Sequence, residues 1–151
     1  MSARVPGRVT ERVTLAFLGN RSREEATAVG TLLAQLARPL AELRVRGALW
    51  LPPRRPSVLS VALEADETLM ALQAELVDGL VGAIGFAGER RRFRPHVTVG
   101  RVARGTRIDT RHALDPPAPD LRFAARGLTL YRSRTTPEGA RYGRISGVEL
   151  A

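Results

Sequence analysis

The sequence predicts an α+β fold built on antiparallel sheet. Three observations lead there: short runs with apolar residues at every second position, two leucine stripes at helical spacing, and a turn-rich stretch joining neighbouring strand runs. The 151 residues are expected to form a single domain, residues 1–151, long enough to bury a core.

The elements follow in order. A first strand is expected from about Val9 to Leu18, with Val13, Leu15 and Phe17 on one face and Arg12, Thr14 and Ala16 on the other. Gly19 and Asn20 end it. Ser22 then opens a helix, and Glu25 three residues on completes a capping box. Ala26, Val29, Leu32, Leu33, Leu36 and Leu40 continue at helical spacing, with Pro39 marking the exit. "AELRVRGALWL" (41–51) reads as a second strand, "PPRRP" (52–56) as a turn, and "SVLSVALE" (57–64) as its hairpin partner. The second helix is expected from Asp66 to Ile84 on the stripe Leu69, Leu72, Leu76 and Leu80, with Gly79, Gly82 and Gly85 weakening its far end. A strand from Pro95 to Val102, a Pro-rich loop (114–120), a strand at 121–133 and a last strand at 140–150 complete the chain.

Composition narrows the function. There is no cysteine, which excludes disulfide scaffolds, thiol catalysis and cysteine metal sites. No apolar run approaches a membrane span, so no membrane partner is expected. The first residues lack the apolar core and cleavage site of a signal peptide, and a cytoplasmic location is expected. The net charge is +9, from 24 basic and 15 acidic side chains, and every basic one is arginine. Two readings of that excess stand: selection for phosphate-bearing partners such as RNA or nucleotides, and the codon bias of a GC-rich genome. Arginine is in either case the better phosphate reader, because its planar fork binds two oxygens at once.

The stretch "RRRFRPHVTVGR" (90–101) carries the chemistry. On a strand His96 and Thr98 project together while Val97 and Val99 point into the core. A hydroxyl donates to a phosphoryl oxygen, and an imidazole exchanges a proton near neutral pH. "RVTL" (12–15) repeats the pattern, with Arg12 and Thr14 sharing a face. Two such strands across one groove offer what in-line cleavage of a phosphodiester needs: groups that handle protons at the attacking and leaving oxygens.

The chain resembles the two-histidine (2H) phosphoesterase superfamily, in its branch of 2′-5′ RNA ligase-like proteins and RNA 2′,3′-cyclic phosphodiesterases. The resemblance rests on "VTLAFLG" (13–19), "GFAGERRRFRPHVTVGRV" (85–102) and "LTLYRSRTTPEGARY" (128–142). It implies two lobes of antiparallel sheet related by a pseudo-twofold, with helices packed outside. It implies two His-x-Thr/Ser motifs, with histidines as acid and base and hydroxyls on the phosphate. Hydrolysis and the reverse ligation would use the same groove.

Two departures stand out. The first motif begins with Arg12 where the resemblance implies histidine; the other histidine, His112, falls in a loop. A guanidinium does not give up its proton, but it does pair with a phosphate oxygen and stabilise developing charge. Losing one histidine should remove roughly 10²–10⁴ in rate. The chain also begins close to the first motif. The family's usual N-terminal strand and helix are therefore expected to be missing, which leaves a sheet edge. A partner protomer would cover that edge in a homo-oligomer; an upstream start codon is the other reading.

The expected catalytic residues are His96, Thr98, Thr14 and Arg12. Arg94, Arg92, Tyr131, Ser133 and Arg134 are the expected substrate-binding residues, with Arg90 and Arg91 further candidates to guide a phosphate. Phe93, Tyr131 and Trp50 are each read two ways, as base-stacking or as packing residues. No metal and no cofactor are implied. The leading function is a phosphodiesterase or 2′-5′ ligase-like enzyme acting on RNA ends, weakened by the lost histidine. The alternative is an inactive nucleotide- or RNA-binding module using the same phosphate groove.

Overall fold

The computed structural model describes residues 12–51, 58–101 and 121–150. Its elements run α1 (Arg23–Leu36), β1 (Leu43–Leu51), β2 (Val58–Leu63), α2 (Glu67–Ile84), β3 (His96–Arg101), β4 (Arg122–Phe123), β5 (Gly127–Thr136) and β6 (Gly139–Glu149). The β1–β2, β2–β3 and β5–β6 pairings are antiparallel, and with two helices among the described residues the α+β expectation holds. The chain divides into two compact units: residues 1–15, 44–64 and 94–121, and residues 16–43, 65–93 and 122–151.

In the first unit the strands lie in the order β3-β2-β1. The β1–β2 pair is the hairpin expected from sequence, with Val45 opposite Leu63 and a register shift between Val45 and Gly47. β3 joins the free edge of β2, pairing Ala62 with His96, Val61 with Val97 and Ser60 with Thr98. The ladder continues past the strand end, where Leu63 N–H donates to the carbonyl of Pro95 at 3.0 Å. Leu63 and Val97, 3% and 4% exposed, are the apolar face of this sheet.

The second unit packs α1 against α2 and against the β5–β6 ribbon. Ser22 caps α1, its side chain accepting from Glu25 N–H at 3.1 Å while Glu25 accepts from Ser22 N–H at 3.0 Å. Asp66 caps α2, accepting from Thr68 and Leu69 N–H and from the Thr68 hydroxyl. These bonds hold the Asp66 carboxyl below its ordinary range, the Thr68 hydroxyl contributing most. Leu69, Leu72, Leu76 and Leu80 are all buried, and burying each of the four stabilises by about 1.5–3 kcal/mol. The glycines do not end this helix early. Gly79 is where α1 comes close, since a Cβ there would sit 2.6 Å from Leu32 Cδ1. Gly85, at φ 63°, supplies the left-handed cap that stops it.

Arg21 ties the two helices together. Its guanidinium donates to the carbonyls of Leu18 and Ile84 and to Glu25 Oε2, at 2.7–3.0 Å. Ile84 is the last residue of α2, so a cation there meets the negative end of the helix dipole.

Some sequence expectations are corrected. The strand expected through Leu18 is, among the described residues, a single bridge at Val13, because β3 begins at His96 and no strand upstream of it offers a partner. Phe17, expected on one face with Val13 and Leu15, is 73% exposed. Leu40 lies beyond the end of α1: Ala37 is already extended at ψ 122°, and Pro39 disfavours helix at the residue before it. The expected strand 121–133 is broken at 124–126 into β4 and β5. The 52–56 turn, the Pro-rich loop, His112 and Val102 lie outside the described residues, as do the side chains of Trp50 and Val99.

Candidate phosphate site

Both motifs fall in the first unit. Val13 bridges Val97 in antiparallel register, and that one contact organises the site. It sets Arg12 beside Thr98 and Thr14 beside His96. Opposed residues of an antiparallel pair point to the same side, and their neighbours to the other. The four polar side chains therefore share one face, and the two valines share its back. Exposure agrees: Val97 is buried, Arg12, Thr14 and Thr98 are exposed, and His96 is half-buried.

His96 is oriented by the main chain. Its Nδ1 lies 2.6 Å from the carbonyl oxygen of Arg94. A carbonyl only accepts, so Nδ1 carries the proton and Nε2 is the nitrogen left for chemistry. The Arg94 side chain is exposed, but its clearest service to the site is through its backbone oxygen. Pro95 fixes the chain between the two.

Sequence reasoning missed Ser60. It stands opposite Thr98 across the β2–β3 ladder and is 0% exposed. Its Oγ has no hydrogen-bond partner among the described residues. A serine inside an otherwise apolar strand run was the available signal.

The remaining expected binding residues lie in the second unit. Arg90, Arg91 and Arg92 are exposed and Phe93 is half-buried. Their segment is anchored by Glu89, whose Oε1 accepts from Phe17 N–H at 3.2 Å. On the β5–β6 ribbon Ser133 faces Tyr142, and Arg134 faces Arg141. Tyr131 and Ser133 thus share one side with Tyr142, and the Tyr131 and Tyr142 rings meet edge to face at 6.4 Å. Alternation puts Arg134 on the other side. Among the described residues no three His, Cys, Asp or Glu side chains group as a metal site, and no helix is long and apolar enough to cross a membrane.

A family model described as the 2′-5′ RNA ligase superfamily matches residues 13–137, a span that holds Val13 and Thr14 of the first motif, the whole of the second and the Tyr131–Arg134 stretch. The chain belongs to the 2′-5′ RNA ligase superfamily. Among proteins of this kind, an RNA 2′,3′-cyclic phosphodiesterase of Thermus thermophilus is 32% identical over 142 residues, 86% of this chain and 67% of that protein. One of Aeropyrum pernix is 30% identical over 91 residues, 60% of this chain. The match spans about half, 52%, of the Aeropyrum protein's length. Among solved structures, TT0787 of Thermus thermophilus superposes with a TM-score of 0.72 at 30% identity, covering 93% of this chain and 78% of that one. E. coli LigT complexed with 3′-AMP gives 0.69 at 27% identity, covering 93% and 77%. The sheet-and-helix architecture of this chain is thus that of the superfamily.

Proposed function

We propose that this protein is an RNA 2′,3′-cyclic phosphodiesterase that works with one histidine. The observation that carries the reading is the face built on the Val13–Val97 bridge, where a histidine with its free nitrogen defined stands beside two hydroxyls and a guanidinium. The names of its relatives support the reaction class. The titles of E. coli LigT structures, which record 3′-AMP, ATP and NADP+ complexes, support a nucleotide phosphate as ligand.

In this scheme Thr14 and Thr98 donate to the non-bridging oxygens of the cyclic phosphate. Nε2 of His96 takes a proton from a water as its oxygen bonds to phosphorus. One phosphorus–ribose oxygen bond breaks in line, and the leaving oxygen takes its proton from solvent. Arg12 pairs with the negative charge that accumulates on phosphorus-bound oxygens. The product is a phosphomonoester on the RNA end, and no step uses a metal or cofactor. A cytoplasmic setting goes with this reading.

The test is hydrolysis of an oligoribonucleotide ending in a 2′,3′-cyclic phosphate. The expected result is slow turnover, lost in His96→Ala by about 10²–10⁴. Turnover indifferent to His96 would overturn the scheme.

A further inference from the structure

The β5–β6 ribbon has a polar side that the reaction scheme leaves unused. Its cross-strand register places Arg132 opposite Gly143, Arg134 opposite Arg141, and Thr136 opposite Gly139. Six consecutive positions on this side are therefore three arginines, two glycines and a threonine, with no carboxylate. The opposite side, carrying Tyr131, Ser133, Thr135, Tyr142 and Arg144, has one arginine. Arginine enrichment from codon usage alone does not choose a side.

Arg132, Arg134 and Arg141 are all exposed. Together with Tyr142 and Gly143 they line an open cleft of about 330 Å³. Gly143 leaves room in it, since a Cβ there would meet nothing within 4 Å. Like charges directly opposite one another destabilise a ribbon, so the Arg134–Arg141 pair is held at a cost that an anion between them relieves.

We propose that this side of the ribbon, built by residues of the second unit alone, binds the phosphate backbone of single-stranded RNA. The partner class rests on the function proposed above; the geometry rests on the ribbon alone. Guanidinium forks meet successive phosphates, and the interaction reads charge without reading sequence.

The test is binding of an oligoribonucleotide of about a dozen residues with an unreactive 3′-hydroxyl end, by fluorescence anisotropy across a salt series. Each phosphate contact on a single strand contributes about 0.7 to the slope of log K against log salt. The triple variant Arg132→Gln/Arg134→Gln/Arg141→Gln should lose about two units of slope, and Arg141→Gln alone about 0.7. Arg132→Lys/Arg134→Lys/Arg141→Lys, which keeps the charges, should retain the slope. A charge-matched control, Arg23→Gln/Arg46→Gln/Arg126→Gln, should leave it nearly unchanged. An unchanged slope in the first variant, or an equal loss in the control, overturns the proposal. Because the readout needs no turnover, a failure of the catalytic scheme leaves this result interpretable in its own right.

Discussion

Val13 and Val97 face each other across a single antiparallel bridge, and each is the middle residue of a polar-Val-Thr triplet. One pairing thereby sets Arg12, Thr14, His96 and Thr98 on a common face. The hydroxyls in this arrangement are expected to act on the phosphate and not on the fold.

Thr14→Ala and Thr98→Ala should therefore each lower kcat/KM on a cyclic-phosphate oligoribonucleotide by roughly 10- to 100-fold. That is the effect of one hydrogen bond to a charged group, about 1.5–3 kcal/mol. The serine variants should recover most of the loss, and thermal melting should hardly move, since both threonines are exposed. Equal activity in Thr98→Ala and the natural protein would remove Thr98 from the phosphate.

Two glycines of α2 make a paired test of helix packing. An alanine in a helix interior is favoured over glycine by about 1 kcal/mol. At Gly82 a Cβ meets nothing within 4 Å, whereas at Gly79 it would press on Leu32 of α1 at 2.6 Å. Gly82→Ala should raise stability in urea unfolding by about 1 kcal/mol. Gly79→Ala should gain clearly less or lose stability, because overpacking typically costs about 1–3 kcal/mol. Equal gains at both positions would mean that α1 does not approach α2 at Gly79.

Acid should act through Asp66. Its carboxyl is held below its ordinary range, first by the Thr68 hydroxyl and then by the Leu69 and Thr68 N–H groups. A depressed pKa stabilises the fold above the unfolded-state value, near 3.8, and that stabilisation is lost as pH falls through the folded value. Asp66→Asn, which still accepts from the backbone, should be less stable than the natural protein at neutral pH. The gap should narrow on acidification below about pH 4. A gap independent of pH would place the effect elsewhere than in the ionised cap.

Helices were the most legible part of the sequence. The Ser22–Glu25 capping box and the four-leucine stripe of α2 are local signals, and each appears in the structure as the sequence predicts. The first strand was not legible in the same way. Alternation at Val13, Leu15 and Phe17 suggests a strand, but a ladder also needs a partner, and β3 supplies one only from His96 onward. The site shows the same division. His-x-Thr and Arg-x-Thr could be picked out by residue type, and their placement on one face follows from strand alternation plus one register. The place of Ser60 opposite Thr98 depends on the register between β2 and β3, which no single stretch of sequence encodes. The carbonyl of Arg94 belongs to that class too, because its role lies in the backbone and not in the side chain.

The most direct measurement compares the natural protein, His96→Ala and Arg12→His in hydrolysis of an oligoribonucleotide bearing a 2′,3′-cyclic phosphate. The account predicts slow turnover by the natural protein, a loss of about 10²–10⁴ in His96→Ala, and a gain in Arg12→His as a second proton-transfer group returns to the face. Turnover in His96→Ala equal to that of the natural protein would contradict it.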